Sequence, residues 1–185
     1  MSGERARLFV ALDLPAHVRS ALHGWGGEHV GGMPRLRLVE PASLHVTLCF
    51  LGSRPVGEVD AIVAACATVS GLPQAPLALG DALWLPPRRP RVLTVELADE
   101  QAHLTAVQST LARALQDGGF YQPEKRPFLA HVTVARVQRQ SRPRRESLPP
   151  PEPLQFTGTT VTLYQSRLGP GPAHYQALSS VSLAS

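Results

Sequence analysis

The stretches LHVTLCFLG, residues 44–52, and AHVTVARV, residues 130–137, share the core His-Val-Thr, and 86 residues separate the two histidines. Both are rich in β-branched and large apolar residues, the composition of strands. Side chains alternate between the faces of a strand. Leu44, Val46, Leu48 and Phe50 are therefore expected on one face of the first, with His45 and Thr47 on the other. In the second, Ala130, Val132 and Val134 are expected to meet a core while His131 and Thr133 turn away from it. One such tetrad alone is usually just a buried strand. Two in matching surroundings suggest two halves of one site.

The surroundings do match. Residues 7–14, RLFVALDL, read as a buried strand. Pro15 opens a helix, since proline is tolerated in the first turn. Val18, Leu22 and Trp25 recur at helical spacing, and Gly26-Gly27 is expected to end the run. A connection containing Gly and Pro leads to the first His-Val-Thr strand. Val59, Ile62, Val63 and Cys66 then mark a second helix that stops at Ser70-Gly71. LALGDALWL, residues 77–85, and RVLTVEL, residues 91–97, read as strands joined by a Pro-Arg turn. A third helix is predicted from about Asp99 to Asp117, with Leu104, Val107, Leu111 and Leu115 as its stripe and Gly118-Gly119 as its cap. Residues 138–153 are too polar and proline-rich to bury a core and are expected as an exposed loop. FTGTTVTLYQSRL, residues 156–168, and YQALSSVSL, residues 175–183, each read as one strand. The order strand, helix, His-Val-Thr strand thus occurs twice, and it predicts a two-lobed α+β fold with one sheet per lobe.

Bulk properties narrow the class. The chain of 185 residues suits one large domain or two small lobes sharing a core. No apolar run approaches the length that spans a bilayer, and the first residues lack a secretory pattern. Cys49 and Cys66 both lie in apolar segments, where reduced, buried thiols are expected, in keeping with a cytoplasmic location. The net charge is +4, almost all of the cations being arginine. They cluster at Arg88, Arg89 and Arg91 and again at Arg136, Arg139, Arg142, Arg144 and Arg145, an arrangement suited to a polyanion such as RNA. Solvated basic loops are common, so charge by itself decides little.

If the two polar strand faces oppose each other, two imidazoles and two hydroxyls line one cleft. Histidine titrates near neutrality, so one ring can accept a proton while the other donates one. Threonine hydroxyls can hold non-bridging phosphate oxygens, where charge accumulates. The set suits phosphoryl chemistry without a metal, and no Cys or carboxylate cluster has metal-ligand spacing.

On these residues the chain resembles the two-histidine (2H) phosphoesterases, specifically the bacterial and archaeal RNA 2′,3′-cyclic phosphodiesterases also called 2′-5′ RNA ligases. RLFVALDLP is similar to that family's start, LHVTLCFLG to its first motif, RPFLAHVTVAR to its second, and LYQSRLGPGPAHYQAL to its C-terminal segment. The resemblance implies a single two-lobed domain over residues 1–185 with a pseudo-twofold axis, antiparallel-rich sheets, helices outside and a central cleft. It implies an enzyme that opens RNA 2′,3′-cyclic phosphate ends with water to a 2′-phosphate, and in reverse forms a 2′-5′ linkage. His45 would then be the proton donor and His131 the acceptor. Thr47 and Thr133 would hold the phosphate. No metal and no other cofactor, an RNA partner, no membrane and a monomer are implied.

Two positions depart from the family pattern. Ala130 stands where proline usually precedes the second histidine, and Thr94 stands where an aromatic is common. Arg136 matches the family's arginine after the second motif, yet strict alternation places it opposite His131. A bulge, a strand end or a curling side chain would be needed to bring it to substrate. It is kept as a substrate-binding candidate. His17, His23, His29, His103 and His174 are read as surface histidines, and no aromatic is assigned a base. Two alternatives stand beside the leading reading: a 2H enzyme for a small cyclic nucleotide or a 2′-5′ oligonucleotide, and a non-catalytic RNA-binding module.

Overall fold

The computed structural model describes residues 4–138, 146–167 and 174–185. Nine strands and three helices follow in chain order: β1 (Arg5–Asp13), α1 (Ala16–Val30), β2 (Leu36–Leu38), β3 (His45–Pro55), α2 (Val59–Cys66), β4 (Ala75–Leu85), β5 (Val92–Ala98), α3 (His103–Asp117), β6 (His131–Val137), β7 (Gln155–Gly158), β8 (Thr160–Arg167) and β9 (His174–Ser182). The strands hydrogen-bond in the order β7-β4-β5-β6-β3-β1-β8-β9, with β2 on β6, and all their pairings are antiparallel. The two lobes are the halves of this series. They meet where β3 and β6, the two His-Val-Thr strands, pair at a single position, Val46 with Val132.

Beyond that bridge the edge of β6 is taken over by β2, through Leu38–Ala135, Arg37–Arg136 and Leu36–Val137. β3 instead runs on beside β1. The half-sheets therefore splay apart, and the open angle between them is the cleft.

The helices cross between lobes. α1, which follows β1 of the first lobe, packs against β2 and β6 of the second. α3, which follows β5 of the second lobe, packs against β3 of the first and against α2. One cluster of buried side chains is the result, including Leu8, Val10, Leu12, Leu22, Val46, Leu111, Leu115 and Val132. Full burial of each such side chain contributes roughly 1.5–3 kcal/mol.

Several predicted boundaries move, each for a packing reason. α1 does not stop at Gly26-Gly27 but continues to Val30. A Cβ at Gly26 would lie 2.7 Å from Val134 Cγ1 and 3.0 Å from Leu38 Cδ2, so this glycine serves close helix–sheet approach. The segment at residues 156–168 is two strands: β7 pairs with β4 in the second lobe and β8 with β1 in the first. The chain changes lobes at Gly158, where a Cβ would lie 2.6 Å from Leu12 Cδ2. β2, within the expected connection, is an added strand. α3 begins at His103 rather than Asp99, whose carboxylate accepts from the backbone N–H groups of Leu104 (3.2 Å) and Thr105 (2.8 Å). The stripe Leu104, Val107, Leu111 and Leu115 is buried as expected, and Gly119 ends the helix with φ +74°. Of the basic loop, residues 146–150 are tied down: Trp84 Nε1 donates to Glu146 O (3.0 Å) and Trp25 Nε1 to Pro149 O (3.2 Å). Arg139, Arg142, Arg144 and Arg145 lie outside the described residues.

Candidate active site

The bridge Val46–Val132 joins the middle residues of the two His-Val-Thr triplets. In an antiparallel pair the neighbours of a matched position face each other in reverse order. His45 therefore sits across from Thr133, and Thr47 across from His131. All four side chains are half-buried, while Val46 and Val132 point the other way and are fully buried. The alternation expected from the sequence holds at these residues.

The pseudo-twofold extends to the flanking strands. Asp13 opposes His45 as Glu96 opposes His131, and Ala11 opposes Thr47 as Thr94 opposes Thr133. Val10–Cys49 matches Leu93–Ala135, and Phe9–Phe50 matches Val92–Arg136. The rings are held alike as well. His45 Nδ1 donates to the carbonyl of Ser43 at 2.8 Å, and His131 Nδ1 donates to that of Leu129 at 2.7 Å. A carbonyl only accepts, so each Nδ1 carries hydrogen and each Nε2 is the nitrogen left for a further partner. His45 Nε2 is 3.1 Å from Thr47 Oγ1.

Both strands depart from alternation at the same point. Ala11 faces Thr47 and Val10 faces Cys49, leaving Leu48 as an extra residue. Thr94 faces Thr133 and Leu93 faces Ala135, leaving Val134 as an extra residue. Each bulge reverses the face of everything beyond it. Phe50, expected in the core, is instead 48% exposed on the histidine side, with the Arg7 guanidinium 4.7 Å above its ring. Cys49 takes the buried place. Arg136 comes round to the face of His131 by the same device. A second bulge, at Leu51 and Gly52, restores the pairing, and Gly52 supplies its φ of +70°.

The surroundings of the two rings differ, and this is where the pseudo-symmetry ends. Phe9 lies against His45 with ring centroids 4.9 Å apart, Tyr175 meets it edge-on at 5.3 Å, and Tyr164 stacks on Phe9. The counterpart of Phe9 behind His131 is the smaller Val92. Asp13 accepts from Tyr164 Oη and Thr162 Oγ1, both at 2.7 Å, fixing the wall. Burial pushes the pKa of His45 down to about 4, and the positive charges of Arg136 and His131 act in the same direction; the Ser43 carbonyl and Asp13 oppose them. His45 is thus neutral at pH 7 in the free protein. Burial also raises the Tyr164 phenol to about 12, helped by its bond to Asp13.

Phe9, Asp13, Tyr164 and Tyr175 were not singled out as site residues in the sequence. They reach His45 across strand pairings whose register no local motif reveals. Thr94 is fully buried and donates to Leu83 O at 3.0 Å, so the departure there is a packing choice beside Thr133. Ala130 is buried and its carbonyl accepts from Leu97 N, leaving the approach to His131 intact. Three of the other histidines are engaged elsewhere than with the two His-Val-Thr triplets. His103 Nδ1 is bound to Gln74 O, His23 Nδ1 is near Val39 O, and His29, within α1, packs on Trp25. Both cysteines are free and buried. Among the described residues no group of three or more His, Cys, Asp or Glu is placed to hold a metal. No helix there is long and apolar enough to cross a membrane.

Comparison with known proteins bears on the same assembly. The chain is 30% identical over 180 residues to the RNA 2′,3′-cyclic phosphodiesterase of Escherichia coli K12, covering 95% of each protein. Another protein of that name, from Archaeoglobus fulgidus, is 30% identical over 135 residues, 73% of this chain and 74% of its own. Among solved structures, E. coli LigT complexed with 3′-AMP superposes with a TM-score of 0.84 at 29% identity, covering 98% of this chain and all of that one. The family model of the 2′-5′ RNA ligase superfamily matches residues 33–170, a span holding both His-Val-Thr strands, and the chain belongs to that superfamily.

Proposed function

We propose that the protein hydrolyses the 2′,3′-cyclic phosphodiester at RNA ends, leaving a 2′-phosphomonoester. The observation that carries this reading is the apposition of the two His-Val-Thr strands at Val46–Val132, which supports two imidazoles and two hydroxyls acting on one phosphate. Water attacks phosphorus and gives its proton to His131 Nε2. The P–O3′ bond breaks, and His45 Nε2–H protonates the departing oxygen. Thr47 and Thr133 donate to the non-bridging oxygens, and Arg136 adds positive charge on the same side. With a 5′-hydroxyl in place of water, the same sequence of steps forms a 2′-5′ linkage. No step calls on a metal.

His45 needs a proton to act as donor, yet burial leaves it neutral in the free protein. The substrate resolves this. A phosphodiester anion between the rings offsets the fields of Arg136 and His131, two of the causes that hold the pKa down. His45 then takes up a proton as substrate binds. The likeness to proteins named RNA 2′,3′-cyclic phosphodiesterase supports the same substrate class.

The test is turnover of an RNA oligonucleotide ending in a 2′,3′-cyclic phosphate, with excess EDTA present. His45→Ala and His131→Ala are each expected to lower kcat by about 10²- to 10⁴-fold, the range for loss of a positioned acid or base. Thr47→Val is expected to cost about 10²-fold. Wild-type rates in either histidine variant would remove the catalytic assignment, whereas binding without turnover by the wild type would leave an RNA-binding module. Loss of wild-type activity in EDTA, restored by a divalent cation, would overturn the metal-free mechanism.

A further inference from the structure

The connection from β2 to β3 borders a half-open cavity of about 80 Å³ lined by Arg37, Glu40, Ser43, Arg136 and Tyr175 among others. That is room for a phosphate-sized group rather than a single water. Arg37 and Arg136 are direct cross-strand partners. Like charges directly opposite are destabilising, and the ion pairs among the described residues, Arg54–Glu58 and Arg126–Glu124, involve neither arginine. Two guanidiniums that share no ion pair among the described residues therefore line one small cavity, with one carboxylate, Glu40, beside them.

The cavity adjoins the histidine pair. Its Ser43 accepts the Nδ1–H of His45, and its Tyr175 lies against the same ring. A group in the cavity sits on the Nδ1 side of His45, while the reacting phosphate meets Nε2. One imidazole thus lies beside both anion positions, which makes a neighbouring phosphate of the same strand the natural occupant of the cavity. The basic Pro-Arg turn ends at the same place, the Arg91 carbonyl accepting from Val137 N next to Arg136.

We propose that Arg37, with Arg136, forms a second phosphate subsite that takes the 5′-phosphate of the nucleotide bearing the cyclic end. This rests on the phosphodiesterase reading and sharpens its substrate. The enzyme selects RNA ends, in which that phosphate is always present, over cyclic nucleosides that lack it. Glu40 on the same cavity opposes the anion and moderates the selection.

Two probes differing by one group test this: adenosine 2′,3′-cyclic phosphate and its 5′-phosphorylated form, assayed at fixed low ionic strength. Wild type is expected to favour the 5′-phosphorylated compound by about tenfold or more in kcat/KM, the scale of charge-assisted hydrogen bonds. Arg37→Met is expected to abolish the preference and leave turnover of the unphosphorylated compound unchanged. Arg37→Lys should keep part of it, and Glu40→Gln should increase it. Equal turnover of both compounds by wild type, or an equal fall for both in Arg37→Met, overturns the subsite. If wild type opens neither compound nor a cyclic-ended RNA, the phosphodiesterase reading fails and the subsite with it.

Discussion

His45 occupies a position that its counterpart does not. Both rings donate Nδ1–H to the carbonyl two residues back, so their tautomers are the same. What separates them is Phe9 and Tyr175 against His45, which displace water from a ring that would carry charge. An NMR titration of the free protein should give His45 a midpoint near the value of about 4 to which burial lowers it. Arg136→Gln removes a repelling cation and should move the midpoint up; added inorganic phosphate should do the same. A midpoint above 6 in the free wild type would refute the desolvated wall. The same depression links pH to stability. Because the folded pKa lies below the unfolded value of 6.5, the unfolded chain binds the extra proton between pH 6.5 and 4. Stability from this group is full above 6.5 and falls through that window, by on the order of 3 kcal/mol once below it. Urea unfolding at pH 7 and pH 4 should show this loss in wild type and its absence in His45→Gln. At this scale the residues proposed to react were legible, since His-Val-Thr announces a polar face by parity alone. The wall was not, since Phe9, Tyr164 and Tyr175 reach His45 from three other strands.

The elements aim those residues through two bulges. Leu48 and Val134 each add one residue to a ladder, and the side chains beyond change face. Arg136 reaches the cleft only because of this, and Phe50 leaves the core for the same reason. Nothing local distinguishes Phe50 from an ordinary buried strand position, and Arg136 stands out by its charge and its place after the second motif rather than by parity, so alternation read from the sequence runs correctly up to the bulge and wrongly past it. Gly52 is the exception, its positive φ giving a chemical reason for the trailing glycine of the first motif. The Val134 bulge is held from below by α1, whose Gly26 packs against Val134 and Leu38 without a Cβ. Gly26→Ala places a methyl 2.7 Å from Val134 Cγ1, an atom on a stiff branched side chain that cannot swing aside cheaply. The expected cost is about 1–3 kcal/mol in urea unfolding, as for overpacking elsewhere. A drop in kcat/KM should accompany it as β6 shifts under Arg136. Gly27→Ala, with open space around it, is the control and should be neutral or slightly stabilising. Equal effects at the two glycines would mean that helix propensity, not contact with β6, is being measured.

For the whole molecule, the repeated strand-helix-strand order foretold two lobes, but not that each lobe's helix packs on the other. Period and punctuation report how a segment folds; they carry no information on which sheet it covers. That exchange has a thermodynamic consequence. If each lobe carried its own helix, either could unfold alone and only the Val46–Val132 contact would couple them. With α1 on β6, α3 on β3, and β7 and β8 consecutive yet in different lobes, opening one half strips apolar cover from the other. Residues 1–185 should therefore unfold as one cooperative domain. The two tryptophans make this testable, since Trp25 on α1 and Trp84 on β4 both lie in the second lobe. Their fluorescence follows that lobe, while far-UV circular dichroism follows both. Coincident urea midpoints and slopes are expected at pH 7. Separated transitions, with fluorescence and dichroism changing at different denaturant concentrations, would make the lobes independent folding units and the cleft a hinge between them.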